Sequence, residues 1–129
     1  MTEFTVSTDF VVDKPTQNNR IYSRDMMEKA IAAYSAVPNQ PVSFGTDEML
    51  AEVNPTKVIG HVEEVKLDEE GRMIVKMKIN DSPVGSIMKE LIKGNIALSI
   101  YPTGTGYVDQ DGVVTDLTLR NLYVGPKGL

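Results

Sequence analysis

His61 is the only histidine in the chain, and Ser99 stands in a short apolar run, Ile96-Ala97-Leu98-Ser99-Ile100-Tyr101. Imidazole titrates near neutrality, so it can take a proton from a serine hydroxyl that attacks a carbonyl. A histidine and a serine placed on two strands could form such a base–nucleophile pair. A third group would then hold the imidazole in its productive tautomer. Three residues qualify: Asp116 and Asn121 on the last strand, and Glu63 two residues beyond His61. Asn121 would act as a neutral amide and stabilise an imidazolium less well than a carboxylate. Each residue also has a plain structural reading. A strand histidine is often held by one hydrogen bond, and a strand serine is often just a small side chain.

These residues need a scaffold, and the spacing of apolar positions supplies one. Glu3 to Val12 is rich in Phe, Val and Thr and reads as a strand. A polar loop, Asp13 to Asn19, precedes a helix capped by Ser23. Its apolar face is Met27, Ala30, Ile31 and Tyr34, and it stops near Ser35, ahead of Pro38. Pro41 to Phe44 reads as a short strand. Gly45 to Thr56 reads as a long loop, with a helical turn around Met49 to Ala51. In that loop Glu48 and Glu52 are further acids that could serve as the third member.

Lys57 to Leu67 reads as the strand of His61, with a bulge or an early exit at Glu63-Glu64. Asp68-Glu69-Glu70-Gly71 makes a hairpin turn into a second strand, Arg72 to Asn80. Asp81-Ser82-Pro83 opens a second helix, and Gly94 closes it. Asn95 to Tyr101 is the strand of Ser99. Alternation puts Ser99 on the face opposite Ile96, Leu98 and Ile100. Pro102 to Gly106 reads as a loop, and Val113 to Val124 as a long last strand. The methionines Met26, Met27, Met73, Met77 and Met88 read as packing. The expected fold class is α+β, one domain over residues 1–129. It has a mostly antiparallel, barrel-like core of about six or seven strands, with two packed helices.

Composition narrows the function. The net charge is −5, and the 13 basic residues are scattered, so a nucleic-acid partner is disfavoured. With one histidine and no cysteine, zinc and disulfides are not expected, and no cofactor is implied. No segment has the length of apolar residues that a membrane span needs, and the first residues carry no leader pattern. Gly104 and Gly106 lack the following helix and lysine of a phosphate loop.

Three stretches together resemble the tailed-phage prohead (capsid maturation) proteases. NNRIYSRDMMEKAIAAY resembles their early motif, an Asn-rich turn and Arg-Ile-Tyr before a helix. GHVEEVKLDEEGRMIVKMKINDSPVGSIMKELIKGNIALS resembles their histidine-to-serine core. VVTDLTLRNLYVGP resembles their closing strand, which carries an acid five positions before a proline. The likeness covers roughly residues 17 to 126.

It implies a fold similar to the herpesvirus assemblins and a serine endopeptidase that cuts scaffold and capsid proteins in the immature head. Carried over by position, His61 matches the base, Ser99 the nucleophile and Asn121 the third member, with Asp116 as the alternative. The implied partners are phage scaffold and major capsid proteins, with a homo-oligomeric or capsid-bound state. The implied place is the host cytoplasm during assembly, within or on the phage head. Two departures stand out. Asn121 occupies an acid's position, and Ile100-Tyr101-Pro102 stands where the family often has Ser-Arg-Gly. The alternative implied reading is an inactive relative that decorates the capsid or helps assemble the head.

Overall fold

The computed structural model describes residues 2–16, 18–45 and 54–127. In chain order it runs β1 (Thr2–Ser7), β2 (Ile21–Tyr22), α1 (Arg24–Ser35), β3 (Pro41–Phe44), a short 3-10 turn (Pro55–Lys57) and β4 (Val58–Leu67). It continues through β5 (Met73–Ile79), α2 (Pro83–Lys93), β6 (Leu98–Val108) and β7 (Val113–Pro126). The α+β class, the mostly antiparallel strands and the two helices are as the sequence predicts. The expected turn at Met49 to Ala51, and the acids Glu48 and Glu52, lie outside the described residues.

β5 is the clearest case of pattern making structure. Met73, Val75, Met77 and Ile79 alternate with Ile74, Lys76 and Lys78, and all four are fully buried. β1 and β4 flank β5 antiparallel, β3 follows β4, and β7 follows β3 in parallel. β6 pairs antiparallel with β7 on its other edge. The circuit closes where Thr8, just past β1, bridges Ile100 of β6. A barrel-like closure of this kind removes most open edges and encloses one core. Gly71 makes the β4–β5 turn at φ +92°, a conformation that a side chain disfavours.

The helices sit as their caps and faces direct. Ser23 accepts a hydrogen bond from the Met26 amide, and Met27, Ala30, Ile31 and Tyr34 are buried beneath α1. Ser82 accepts from the Gly85 amide, Pro83 occupies the first turn, and Met88 is fully buried under α2. At the other end the Gly94 amide bonds back to Glu90.

Two boundaries differ most from the sequence reading, while β6 also starts later, at Leu98, and β7 runs on to Pro126. β1 ends at Ser7 rather than Val12. Thr8 explains the exit: its hydroxyl donates to the Phe10 carbonyl and accepts from the Met73 amide, replacing a ladder bond with a side-chain bond. β6 does not stop at Tyr101 but continues through Pro102, Gly104 and Gly106 to Val108. Proline is tolerated there because β6 has β7 on one side only beyond Ile100. The bulge expected at Glu63-Glu64 is present: the β4–β5 register shifts between Val62 and Glu64.

Candidate active site

His61 lies half-buried on β4, paired with Pro41 of β3 and Lys78 of β5. Directly paired residues share a face of the sheet, so the register extends this row. Val42 pairs with Leu122 and faces the core; Pro41 and Asn121, one residue earlier on each strand, therefore share the other face. Asn121 in turn pairs with Thr103 of β6. The row across the sheet reads Lys78, His61, Pro41, Asn121, Thr103. Gly60, beside His61, is held against β5: a Cβ there would meet the Lys78 carbonyl oxygen at 1.9 Å.

Ser99 occupies the same face but a different row. It pairs with Gly125, four residues beyond Asn121 on β7. β3 and β7 lie between the strands of His61 and Ser99. Three interstrand steps amount to ~14 Å across the sheet, and four residues to ~13 Å along it. The register thus brings Asn121 and Thr103 into one row with His61 and leaves Ser99 outside it.

Ser99 has another partner. Its hydroxyl donates to Asp9 Oδ1 at 2.7 Å. Ser99 is 2% exposed, whereas Asp9 is exposed on the segment that follows β1. The neighbouring backbone is well held, because the Arg72 guanidinium donates to the carbonyls of Thr8 and Asp9. No sequence spacing marks Asp9 as a site residue: it lies 90 positions from Ser99, and only barrel closure joins them.

Of the alternative third members, Glu63 is engaged and Asp116 is exposed. Glu63 forms an ion pair with Lys78 at 3.6 Å. Asp116 is exposed on the outer part of β7, opposite Tyr107. Two buried hydroxyls, of Tyr34 and Ser43, have no hydrogen-bond partner among the described residues. Burial pushes the Tyr34 phenol up to about 12.

Ser99's neighbours Asp9 and Ile100, though not Ser99 itself, line an open groove of about 940 Å³. One wall is β6 from Ile100 to Val108, another is residues 9–16 and 18–22 with Asp9, Phe10, Lys14, Arg20 and Tyr22, and Met27 of α1 and Val114, Leu117 and Leu119 of β7 complete the lining. Phe10 and Tyr22 stack at a tilt, with ring centroids 5.2 Å apart.

A barrel-like sheet closed through Thr8 and Ile100, with two helices packed on it, is the architecture of a phage capsid-protease fold. The particular likeness is to the structure of the bacteriophage T4 capsid assembly protease, gp21. The TM-score is 0.78 at 14% identity, over 94% of this chain and 80% of that one. At that identity the likeness is one of fold. No protein-family model matches the chain, and no curated protein matches it.

Proposed function

We propose that this protein acts in the assembly or maturation of a phage head, with Ser99 as its candidate nucleophile. The observation that carries the reading is the shared fold with a capsid assembly protease over nearly the whole chain. The order of sequence motifs points the same way.

As a serine endopeptidase the site would work through the pair that is already bonded. Ser99 Oγ attacks the scissile carbonyl while Asp9, which accepts the Ser99 hydroxyl, takes its proton. The proton passes to the leaving amine, and water then hydrolyses the acyl-enzyme. A triad of His61, Ser99 and Asn121, or one completed by Asp116, would need β4 and β6 to approach across the width of β3 and β7. The substrates would be scaffold and major capsid proteins, met in the host cell inside the assembling head.

A second reading is a non-catalytic head component with the same fold. The burial of Ser99 and the engagement of its hydroxyl by Asp9 favour it. One experiment separates the two. The protein and its Ser99→Ala variant are incubated with co-expressed scaffold and capsid proteins, and fragments are read by mass spectrometry. Cleavage lost in Ser99→Ala supports the peptidase. Tight binding to assembled heads without cleavage by either form retires it in favour of the structural role.

A further inference from the structure

The segment that carries Asp9 is pinned at both ends to the β4–β5 hairpin. At one end Thr8 exchanges hydrogen bonds with Met73. The Thr8 amide donates to the Met73 carbonyl at 2.9 Å, and the Thr8 hydroxyl accepts from the Met73 amide at 3.1 Å. At the other end the Val12 amide donates to the Gly71 carbonyl at 2.9 Å. The fit there is close, since a Cβ on Gly71 would lie 2.7 Å from Val12 Cγ2. Asp9 lies between the pins, and its side chain crosses to β6 to accept the Ser99 hydroxyl.

Arg72 reaches into this span from the hairpin. Its Nη1 donates to the Thr8 carbonyl at 3.2 Å and to the Asp9 carbonyl at 3.1 Å. The first carbonyl belongs to the peptide plane before the Asp9 Cα, and the second to the plane after it. Holding both planes fixes the two soft dihedrals of Asp9, and with them the direction of its side chain. An exposed carboxylate gains freedom by turning to water, so a fixed backbone is what keeps it on one hydroxyl.

The arginine is itself well placed. Its amide donates to Asp68 Oδ1 at 2.8 Å, and its carbonyl accepts from the Asp68 amide at 2.9 Å. The Asp68 carbonyl in turn accepts from the Arg24 guanidinium of α1 at 3.2 Å. Glu70, 3.9 Å from Arg72 Nε, is exposed and adds little.

We propose that Arg72 is a positioning residue: it fixes the Asp9 backbone so that the carboxylate stays on the Ser99 hydroxyl. The inference rests on the peptidase reading only for what that contact does in catalysis.

The test compares Arg72→Ala and Arg72→Lys with the native chain and with Ser99→Ala. The side-chain carboxyl 13C resonance of Asp9 reports the contact, and Ser99→Ala marks where it falls once the serine bond is gone. The expected result is that Arg72→Ala moves this resonance to its Ser99→Ala position, while the amide resonances of α2 stay in place. On a head-protein substrate kcat should fall about tenfold to a hundredfold with KM unchanged. Methylguanidinium added to Arg72→Ala should restore part of both readings. Arg72→Lys keeps the charge and most of the stem but not the planar fork, and should lie between.

An Asp9 resonance unmoved in both variants would overturn the proposal, and so would a raised KM with kcat unchanged. If Arg72→Ala does not fold, the same readings on Arg72→Lys decide. If the native chain cuts no head protein yet the Asp9 resonance follows Arg72, the positioning stands and the peptidase reading falls. Cleavage that is indifferent to Arg72→Ala, with the Asp9 resonance unmoved, does the reverse.

Discussion

The Ser99 hydroxyl and the Asp9 carboxylate meet at 2.7 Å where the barrel closes, one from β6 and the other from just past β1. Ser99→Ala should abolish any peptidase activity yet leave the fold intact. Asp9 is exposed and can turn to water, so the stability loss should be only about 1 kcal/mol. Asp9→Asn should cut activity as well, because an amide cannot take the serine proton. If His61→Ala, and not Asp9→Asn, removes activity, the base has been misassigned. Rates on a head-protein substrate and urea melts of each variant check both halves.

Met77 is fully buried in the middle of β5, between β1 and β4. Met77→Ala should cost about 2–5 kcal/mol, through lost burial and the cavity left behind. Equilibrium urea unfolding measures it. A loss below 1 kcal/mol would mean that the site collapses freely.

Gly60 bears directly on the position of His61. A Cβ at Gly60 would lie 1.9 Å from the Lys78 carbonyl oxygen, and backbone must move to admit it. Gly60→Ala should destabilise by more than about 3 kcal/mol. It should also shift the His61 and Lys78 resonances more than those of the β6 edge.

Tyr34 carries a buried hydroxyl without a partner among the described residues. Tyr34→Phe should be neutral or stabilising near pH 7, since it removes an unsatisfied polar group. At alkaline pH the sign is fixed by linkage. The folded pKa is raised from 10.0 to about 12, so the folded state holds its proton longer than the unfolded state. Stability is whole below the unfolded pKa and falls as pH rises toward the folded one. Tyr34→Phe should flatten that loss. Tyrosinate absorbance followed through the same range checks the titration itself.

Asp81 gives the opposite sign. A hydrogen bond from Lys89, and its charge, hold the carboxyl below its ordinary 3.8. The stabilisation is present above that ordinary value and disappears as pH falls through the folded pKa. Asp81→Asn should therefore be slightly less stable than the native chain at neutral pH. The two should converge in strong acid, as thermal melts across acid pH would record.

The fold was largely legible because its periodicities are unmixed. The alternation of Met73 to Ile79 and the caps Ser23 and Ser82 left little choice of element. Pro102 and Gly104 misled because local turn chemistry reads the same in a loop and in an edge strand paired with β7. The site was less legible. Parity along each strand puts His61, Asn121 and Ser99 on one face, but parity does not set the row. That depends on register between strands far apart in sequence. Asp9 was invisible for the same reason, since its partner is 90 residues away.

β7 pairs with β2, β3 and β6, and all three precede it in the chain. During synthesis the first 112 residues can form the β1–β5–β4–β3 sheet, but among the described residues only the Thr8–Ile100 bridge and the Ser99–Asp9 hydrogen bond hold β6 to it until β7 has emerged. Until then β3 and β6 each present an unpaired edge in a crowded cell. A ribosome stalled before Val113 would hold a half-barrel prone to wrong pairings, and a fragment truncated there would be a seed for aggregation rather than a smaller domain.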